Sequence, residues 1–178
     1  MIDPGTNING EEFEAYNQRR WGSSGWTNHL KSEGRKDGAN FANWNWWPNT
    51  MKAHCLVNFA HERYNVDTSM SNAAIFHALY EEGMNVSLID TLVKVGTERL
   101  GLPEDELRQY LEAGEGERGV KNEIKTGRNM YDISGVPFFV IERADDDDDD
   151  DEGDGRPYGL SGAQSANTFL RIFEELSE

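Results

Sequence analysis

The sequence predicts a mostly helical α/β fold in which a short β region follows the helices. Helical signals run from about Glu11 to Met130, and the first clear strand pattern begins after Ile133. One further amphipathic helix closes the chain. At 178 residues the chain can bury a core as one domain, or as one domain that carries an insertion.

Two helices are expected near the start of the chain. Phe13 and Tyr16 indicate a helix that ends by Gly22, and a second helix covers Trp26 to Lys31. Segment 40–48, NFANWNWWP, has no helical period and ends at a proline. We therefore expect it to be an aromatic loop.

Five more helical segments are predicted between residues 49 and 130. The firmest begins after the capping residues Asn49 and Thr50. Its apolar face comprises Ala53, Leu56, Val57, Ala60 and Tyr64. The next two cover 73–82 and 87–100, the second with Ser87 and Asp90 spaced as in a capping box. The last two begin at Pro103 and around Val120.

The β region is predicted from Pro137 onward. Residues 137–141 are all apolar, which is typical of a strand covered on both faces in the middle of a sheet. Residues 156–160 return as a second strand, and Ser161-Gly162 forms a turn. The closing helix is expected to turn Ala166, Phe169, Leu170, Phe173 and Leu176 inward.

The net charge of −16 is concentrated in one segment. Residues 142–154 contain ten acidic residues and one arginine, a net charge of −9. The seven aspartates Asp145 to Asp151 lack the glycine and distal glutamate of an EF-hand loop, so we expect a solvated, disordered loop over 142–155. Such a surface repels phosphates, which argues against nucleic-acid and membrane-surface functions.

Cys55 is the only cysteine, which excludes a C-x-x-C pair, an intrachain disulfide and a multi-cysteine zinc site within this sequence. It lies in the middle of a predicted amphipathic helix, where cysteine usually packs as a small apolar residue. His54, Asn58 and His61 share a helix face without a further strong ligand, so no metal is expected. The chain begins with neither a signal peptide nor an apolar span, and a cytoplasmic location is expected.

Pro137 opens a strand although proline has no N–H to donate. One interpretation is structural, since the first position of a strand need not donate a hydrogen bond. The other is that Val136-Pro137 is a cis bond that turns the preceding backbone toward a ligand. Gly135 would allow a ligand to approach this backbone closely.

The segments SGVPFFVI at 134–141 and YGLSGAQSANTFLRIFEEL at 158–176 resemble the end of the DsbA-like thioredoxin superfamily, especially its FrnE-type branch. PNTMKAH at 48–54, ALYEEGMNVS at 78–87 and the helix at 103–113 extend the resemblance in order. It implies a thioredoxin-like fold that is split by an inserted helical domain, together with thiol-disulfide oxidoreductase activity.

The resemblance also defines three regions and one gap. Residues 1–10 correspond to the remnant of a thioredoxin-like strand and a linker, 11–131 to the inserted helices, and 132–178 to the β-β-α half. The first β-α-β half, which carries C-x-x-C in redox members, is largely absent, so the thioredoxin-like fold is incomplete. Either the chain is truncated from a longer parent or it is a non-catalytic descendant. The apolar strand, which needs neighbours on both sides, favours truncation.

The resemblance assigns substrate binding to Ser134, Gly135, Val136 and Pro137. Asn49, His54 and Trp47 are candidate groove residues, and no catalytic residue is assigned. Trp44, Trp46 and Trp47 either line a groove for a peptide or aromatic substrate or pack in the core and at its rim. The expected partners are thiol- or disulfide-containing proteins or peptides, and a second copy of the chain through an open sheet edge. No resident cofactor is expected.

Two other functions stay open at this point. Kappa-type glutathione transferases and 2-hydroxychromene-2-carboxylate isomerases are similar to this branch and share the N-T helix start and the proline loop, which would make glutathione a partner. The third hypothesis is a binding module whose loop 134–137 pairs with an extended peptide without catalysing a reaction.

Overall fold

The computed structural model describes residues 5–143 and 157–177. Helices dominate, and the strands are short. In chain order the elements are β1 (Glu11–Glu12), α1 (Phe13–Trp21), α2 (Thr27–Lys36), β2 (Trp46–Trp47), α3 (Met51–Tyr64), α4 (Thr68–Phe76), a π-helix (His77–Glu81), α5 (Ile89–Leu100), α6 (Glu104–Ala113), α7 (Glu117–Met130), β3 (Phe138–Ile141), β4 (Tyr158–Ser161) and α8 (Ala166–Ser177).

The chain divides into two compact units between Lys121 and Asn122, which lies inside α7. The sequence placed the corresponding boundary between residues 131 and 132. The predicted strand remnant at 1–4 and the aspartate run 145–151 lie outside the described residues. None of the helices in the described ranges is both long and apolar enough to cross a membrane.

The first unit begins with a short antiparallel ribbon between β1 and β2. Glu11 pairs with Trp47 and Glu12 with Trp46. The prediction of a purely loop-like aromatic segment was therefore wrong at Trp46 and Trp47. Two residues are too few to show the alternation of a strand, and their partners lie far away in the sequence.

Aromatic rings join this ribbon to α1. Tyr16 is 2% exposed and stacks on Trp47, with 4.3 Å between ring centroids. Phe13 lies 4.7 Å from Trp44, which is also buried. Trp44 and Trp47 therefore pack against α1, and Trp44 belongs to the core.

Helix α3 lies at the centre of the first unit and contacts α4, α5 and α6. Leu56, Phe59 and Ala60 have no exposed surface. Burial of one such leucine or phenylalanine side chain contributes roughly 1.5–3 kcal/mol. Helix α5 approaches α3 closely at Gly96, where a Cβ would lie 3.1 Å from Leu56 Cδ1.

The start of α5 differs from the prediction. The helix begins at Ile89 after Leu88, with no side-chain cap, so the predicted capping box was wrong. Ser87 Oγ accepts the backbone N–H of Asn49 at 2.9 Å instead. Asp90 is 2.6 Å from Arg108 on α6. Both polar side chains have long-range partners, which local spacing does not predict.

The π-helix fixes the loop before β2 through one carboxylate. Glu81 accepts the backbone N–H groups of Asn40 and Phe41 at 2.8 and 2.9 Å, and that of Ala42 at 3.3 Å. The Phe41 bond is the main reason that the pKa of Glu81 lies below its ordinary value. One side chain thereby satisfies three loop donors.

We expect Glu81→Gln to lower the melting temperature at neutral pH, because an amide oxygen binds these donors more weakly than a carboxylate. The pKa of the Glu81 carboxyl is lower in the folded than in the unfolded protein, so its ionised form stabilises the fold at pH values above the unfolded pKa. This stabilisation is lost as the pH falls through the folded pKa. The difference from wild type should therefore shrink in acid. Thermal melts across pH test this, with Glu98→Gln, at an exposed position of α5, as the charge-matched control. Equal effects of the two substitutions at all pH values would contradict it.

The second unit contains an antiparallel hairpin and α8. Phe138 pairs with Ser161 and Ile141 with Tyr158. Phe139 meets Phe169 of α8 edge to face, with 5.0 Å between centroids. The second strand is described over Tyr158–Ser161, so Ser161 is a strand residue rather than the predicted turn residue, and Arg156 of the predicted 156–160 lies outside the described residues.

Two burial predictions for this unit were wrong. Strand β3 is not covered on both faces, since Val140 is 38% exposed, and β4 is its only partner strand among the described residues. On α8 the fully buried side chain is Ile172, which the predicted stripe omitted, whereas three stripe residues are exposed. They are Ala166, Leu170 and Phe173. A short apolar run predicts a strand but does not show that another element covers it.

Candidate functional site

The candidate substrate-binding loop, Ser134–Pro137, lies between α7 and β3. Its anchoring begins at Gly127 of α7, whose carbonyl accepts the N–H groups of Tyr131 at 3.2 Å and Ile133 at 3.3 Å. Asp132 between them has φ 49°, in the left-handed region. This compact turn ends the helix and places the loop directly before β3.

The other end of the loop is held by the hairpin. The carbonyl of Pro137 accepts the N–H of Gly162 at 2.8 Å, which continues the pairing of β3 with β4. The Val136-Pro137 peptide bond is cis. Pro137 thus needs no N–H at this position, because its hydrogen bond to the hairpin uses the carbonyl.

All four loop residues are exposed. Ser134, Gly135 and Val136 make no hydrogen bond with any other described residue. A Cβ built on Gly135 meets nothing within 4 Å, and the Val136 side chain lies in solvent with 64% of the residue exposed. Within the described residues, therefore, no group occupies the backbone donors and acceptors of this segment.

Apolar side chains continue from the loop into the end of α7. Met130 is 72% exposed, and Tyr131 is also exposed. Together with Val136 they give the loop region an apolar character around its free backbone groups. Extended peptides bind through backbone hydrogen bonds together with contacts to alternate side chains, and this region has exposed backbone and exposed apolar side chains for such contacts.

Cys55 lies in the other unit and is buried in the middle of α3. The residue is 1% exposed, and burial raises the pKa of its thiol to about 11. The Glu117 carboxylate adds to the rise. Thiol-disulfide exchange needs an accessible thiolate, which forms at thiols of lowered pKa. The environment of Cys55 is the opposite of a redox-active one.

The three candidate groove residues have different environments. Trp47 stacks on Tyr16 in the aromatic cluster, and His54 is exposed one turn into α3. Asn49 accepts the N–H of Met51 through Oδ1 at 3.2 Å and lines a cavity that neither Trp47 nor His54 lines. That these residues bind substrate together stays a prediction.

Metal-ligating side chains do not cluster in the part of the chain that is described. No group of three or more His, Cys, Asp or Glu side chains there is close enough to hold a metal ion. His54 and His61 lie on the exposed side of α3.

The sequence analysis missed Lys52, Ser87, Glu117 and Lys121, which line the cavity next to Asn49. Glu117 and Lys121 both lie on α7, whereas Lys52 and Ser87 come from two other segments that are distant in the sequence. Only the fold brings them together, so no local sequence signal could have identified them.

We expect Cys55 to resist iodoacetamide in the native protein and to react after unfolding, because the thiol is buried and protonated at neutral pH. Since its folded pKa is raised, the stabilisation from the neutral thiol should be lost as the pH rises toward about 11. Mass spectrometry of alkylated protein measures the reaction, with free glutathione as the reactivity standard. Native labelling at a rate near that of glutathione would refute the assignment.

Comparison with known proteins adds one match. The model of the DSBA-like thioredoxin domain family matches residues 38–174. No curated protein matches the chain. The match includes α3 to α7, the hairpin and most of α8. It confirms the predicted α/β thioredoxin-like class for a mostly helical chain.

Proposed function

Because the chain belongs to the DSBA-like thioredoxin domain family, we propose that it is a FrnE-type member whose residues supply substrate binding rather than thiol exchange. Proteins of this family generally act on thiol or disulfide substrates. The observation that carries the proposal is the exposed loop Ser134–Val136, whose backbone groups have no partner among the described residues.

The proposed substrate is an extended, partly unfolded polypeptide that carries a thiol or disulfide. It would pair with the free backbone groups of Ser134–Val136 and place apolar side chains against Val136, Tyr131 and Met130. Backbone pairing tolerates many sequences, because every residue except proline offers the same N–H and C=O groups. Apolar contacts would favour unfolded substrates over folded ones.

The chemistry of the described residues supports binding without redox catalysis. Cys55 is the one cysteine of the sequence, and it is buried with a raised pKa. A resolving thiol is required to release a mixed disulfide in dithiol exchange. The alternative of a kappa-type transferase or isomerase that uses glutathione stays a prediction, as does the cytoplasmic location.

We expect Val136→Asp to weaken binding of an S-carbamidomethylated insulin B chain by about fivefold or more, since it replaces an exposed apolar contact worth roughly 1 kcal/mol. Fluorescence anisotropy of the labelled peptide measures the affinity. Ala163→Asp, in the exposed turn after β4, introduces the same charge nearby and should have little effect. Unchanged binding by Val136→Asp would exclude the loop as the binding site.

An insulin-reduction assay tests whether the chain catalyses thiol-disulfide exchange. Reduction of insulin by dithiothreitol should proceed at the same rate with and without this chain. Acceleration that disappears in Cys55→Ala would show that Cys55 is catalytic and would overturn the proposal.

We also propose that the edge of β3 opposite β4, which has no partner strand among the described residues, supports self-association, because unpaired strand edges pair with one another. Sedimentation velocity should show concentration-dependent oligomers that Val140→Lys shifts toward monomer. Leu88→Lys also replaces an exposed apolar residue by lysine, but in the helical unit, and it should leave the distribution of oligomers unchanged. A wild-type chain that is monomeric at all concentrations and melts cooperatively would contradict this proposal.

A further inference from the structure

The helical unit contains a cavity of about 180 Å³ beside the start of α3. Four segments meet there: the N-terminal segment at Ile8, the start of α3, the turn at Ser87, and the start of α7 at Glu117 and Lys121. Cavities of a few hundred Å³ are typical of small-molecule sites. This one is large enough for a ligand of roughly six to nine non-hydrogen atoms at about 20–30 Å³ each.

Two ammonium groups and one carboxylate line this cavity. Lys121 Nζ lies 2.9 Å from Glu117 Oε2, and Lys52 Nζ lies 4.0 Å from Glu117 Oε1. Lys52 also donates to the backbone carbonyl of Leu111 at 3.0 Å, and only 23% of its side chain is exposed. Both the hydrogen bond and the burial restrict the position of the ammonium group. The lining therefore has a net charge of +1 in a chain of net charge −16.

Hydrogen-bond donors at the cavity outnumber the acceptors. Ser87 is 4% exposed, and its Oγ accepts the Asn49 N–H, while its own hydroxyl proton has no acceptor among the described residues. Asn49 Oδ1 accepts the Met51 N–H, and the Nδ2 hydrogens of the same side chain have no acceptor among the described residues. Buried polar groups normally have hydrogen-bond partners, so the buried Ser87 hydroxyl favours a ligand that accepts a hydrogen bond, and the half-buried Asn49 amide can donate to the same ligand.

Apolar side chains form the rest of the lining. Ile8 and Met51 provide no polar group to a ligand, so one part of the ligand should be aliphatic. A doubly charged phosphate ester fits less well, because the net lining charge is only +1 and Glu117 would repel a second negative charge. A single carboxylate on a short aliphatic chain satisfies the charge, the donors and the apolar lining.

We propose that this cavity binds a small aliphatic monocarboxylate. Its carboxylate accepts hydrogen bonds from Lys121, Asn49 and Ser87, and its aliphatic part contacts Ile8 and Met51. Lys52 contributes its positive charge. The site lies entirely in the helical unit, shares no residue with loop 134–137, and does not depend on the proposed substrate-binding function.

The test is a titration of the whole chain with sodium butyrate, followed through the backbone amide signals of Asn49 and Ser87 by NMR. We expect saturable shifts in the range of roughly millimolar to tens of millimolar. Sodium chloride at equal ionic strength and n-butylamine, which has the same carbon chain and the opposite charge, should not reproduce them. Absence of saturation, or equal shifts with sodium chloride, would overturn the proposal.

Two substitutions of opposite expected effect sharpen this test. Lys121→Gln removes a charge-assisted donor from an exposed side chain and should weaken butyrate binding about fivefold. Glu117→Gln raises the net charge of the lining and should tighten binding. Lys94→Gln, at an exposed position of α5, removes the same charge elsewhere in the unit and is the control. Weakening by Lys94→Gln equal to that by Lys121→Gln would show a general charge effect and exclude this site.

Discussion

Burial of the apolar face of α3 is the constraint on which the helical unit depends. This helix contacts α4, α5 and α6, and it has residues without exposed surface at Leu56, Phe59 and Ala60. The same burial determines the chemistry of Cys55, because a thiol inside this core stays protonated. Stability of the unit and inertness of its cysteine therefore have one cause.

The start of α3 lies at the edge of this core and is correspondingly polar. Asn49 and Ser87 are tied together by the 2.9 Å hydrogen bond that replaced the predicted capping box of α5. This hydrogen bond joins two turns that are far apart in the sequence and helps to form the cavity wall. Polar groups are placed where the packed helices end, which is where a small ligand can reach them without disturbing the core.

The sequence predicted the helices well where their apolar period is long, as in α3, and the β-β-α order from the apolar run at 138–141. It could not predict β1 and β2, which are two residues each and pair over a long sequence distance. It overestimated the burial of β3, and of Leu170 and Phe173 on α8, because hydrophobicity shows which residues favour burial but not which element covers them. The loop Ser134–Pro137 was found through its motif, whereas no sequence pattern predicted that the cavity residues lie together.

The two units place different demands on a ligand. Loop Ser134–Val136 offers backbone groups and exposed apolar side chains, which suit a long and variable polypeptide. The cavity of the helical unit offers charged side chains and a small volume, which suit a small anion. Because the cavity shares no residue with the loop, a substitution such as Lys121→Gln should leave peptide binding unchanged, and Val136→Asp should leave butyrate binding unchanged. The binding of both ligands is therefore measured for both variants. Misfolding would abolish the binding of peptide and of butyrate together, whereas loss of a specific site would abolish the binding of one ligand only.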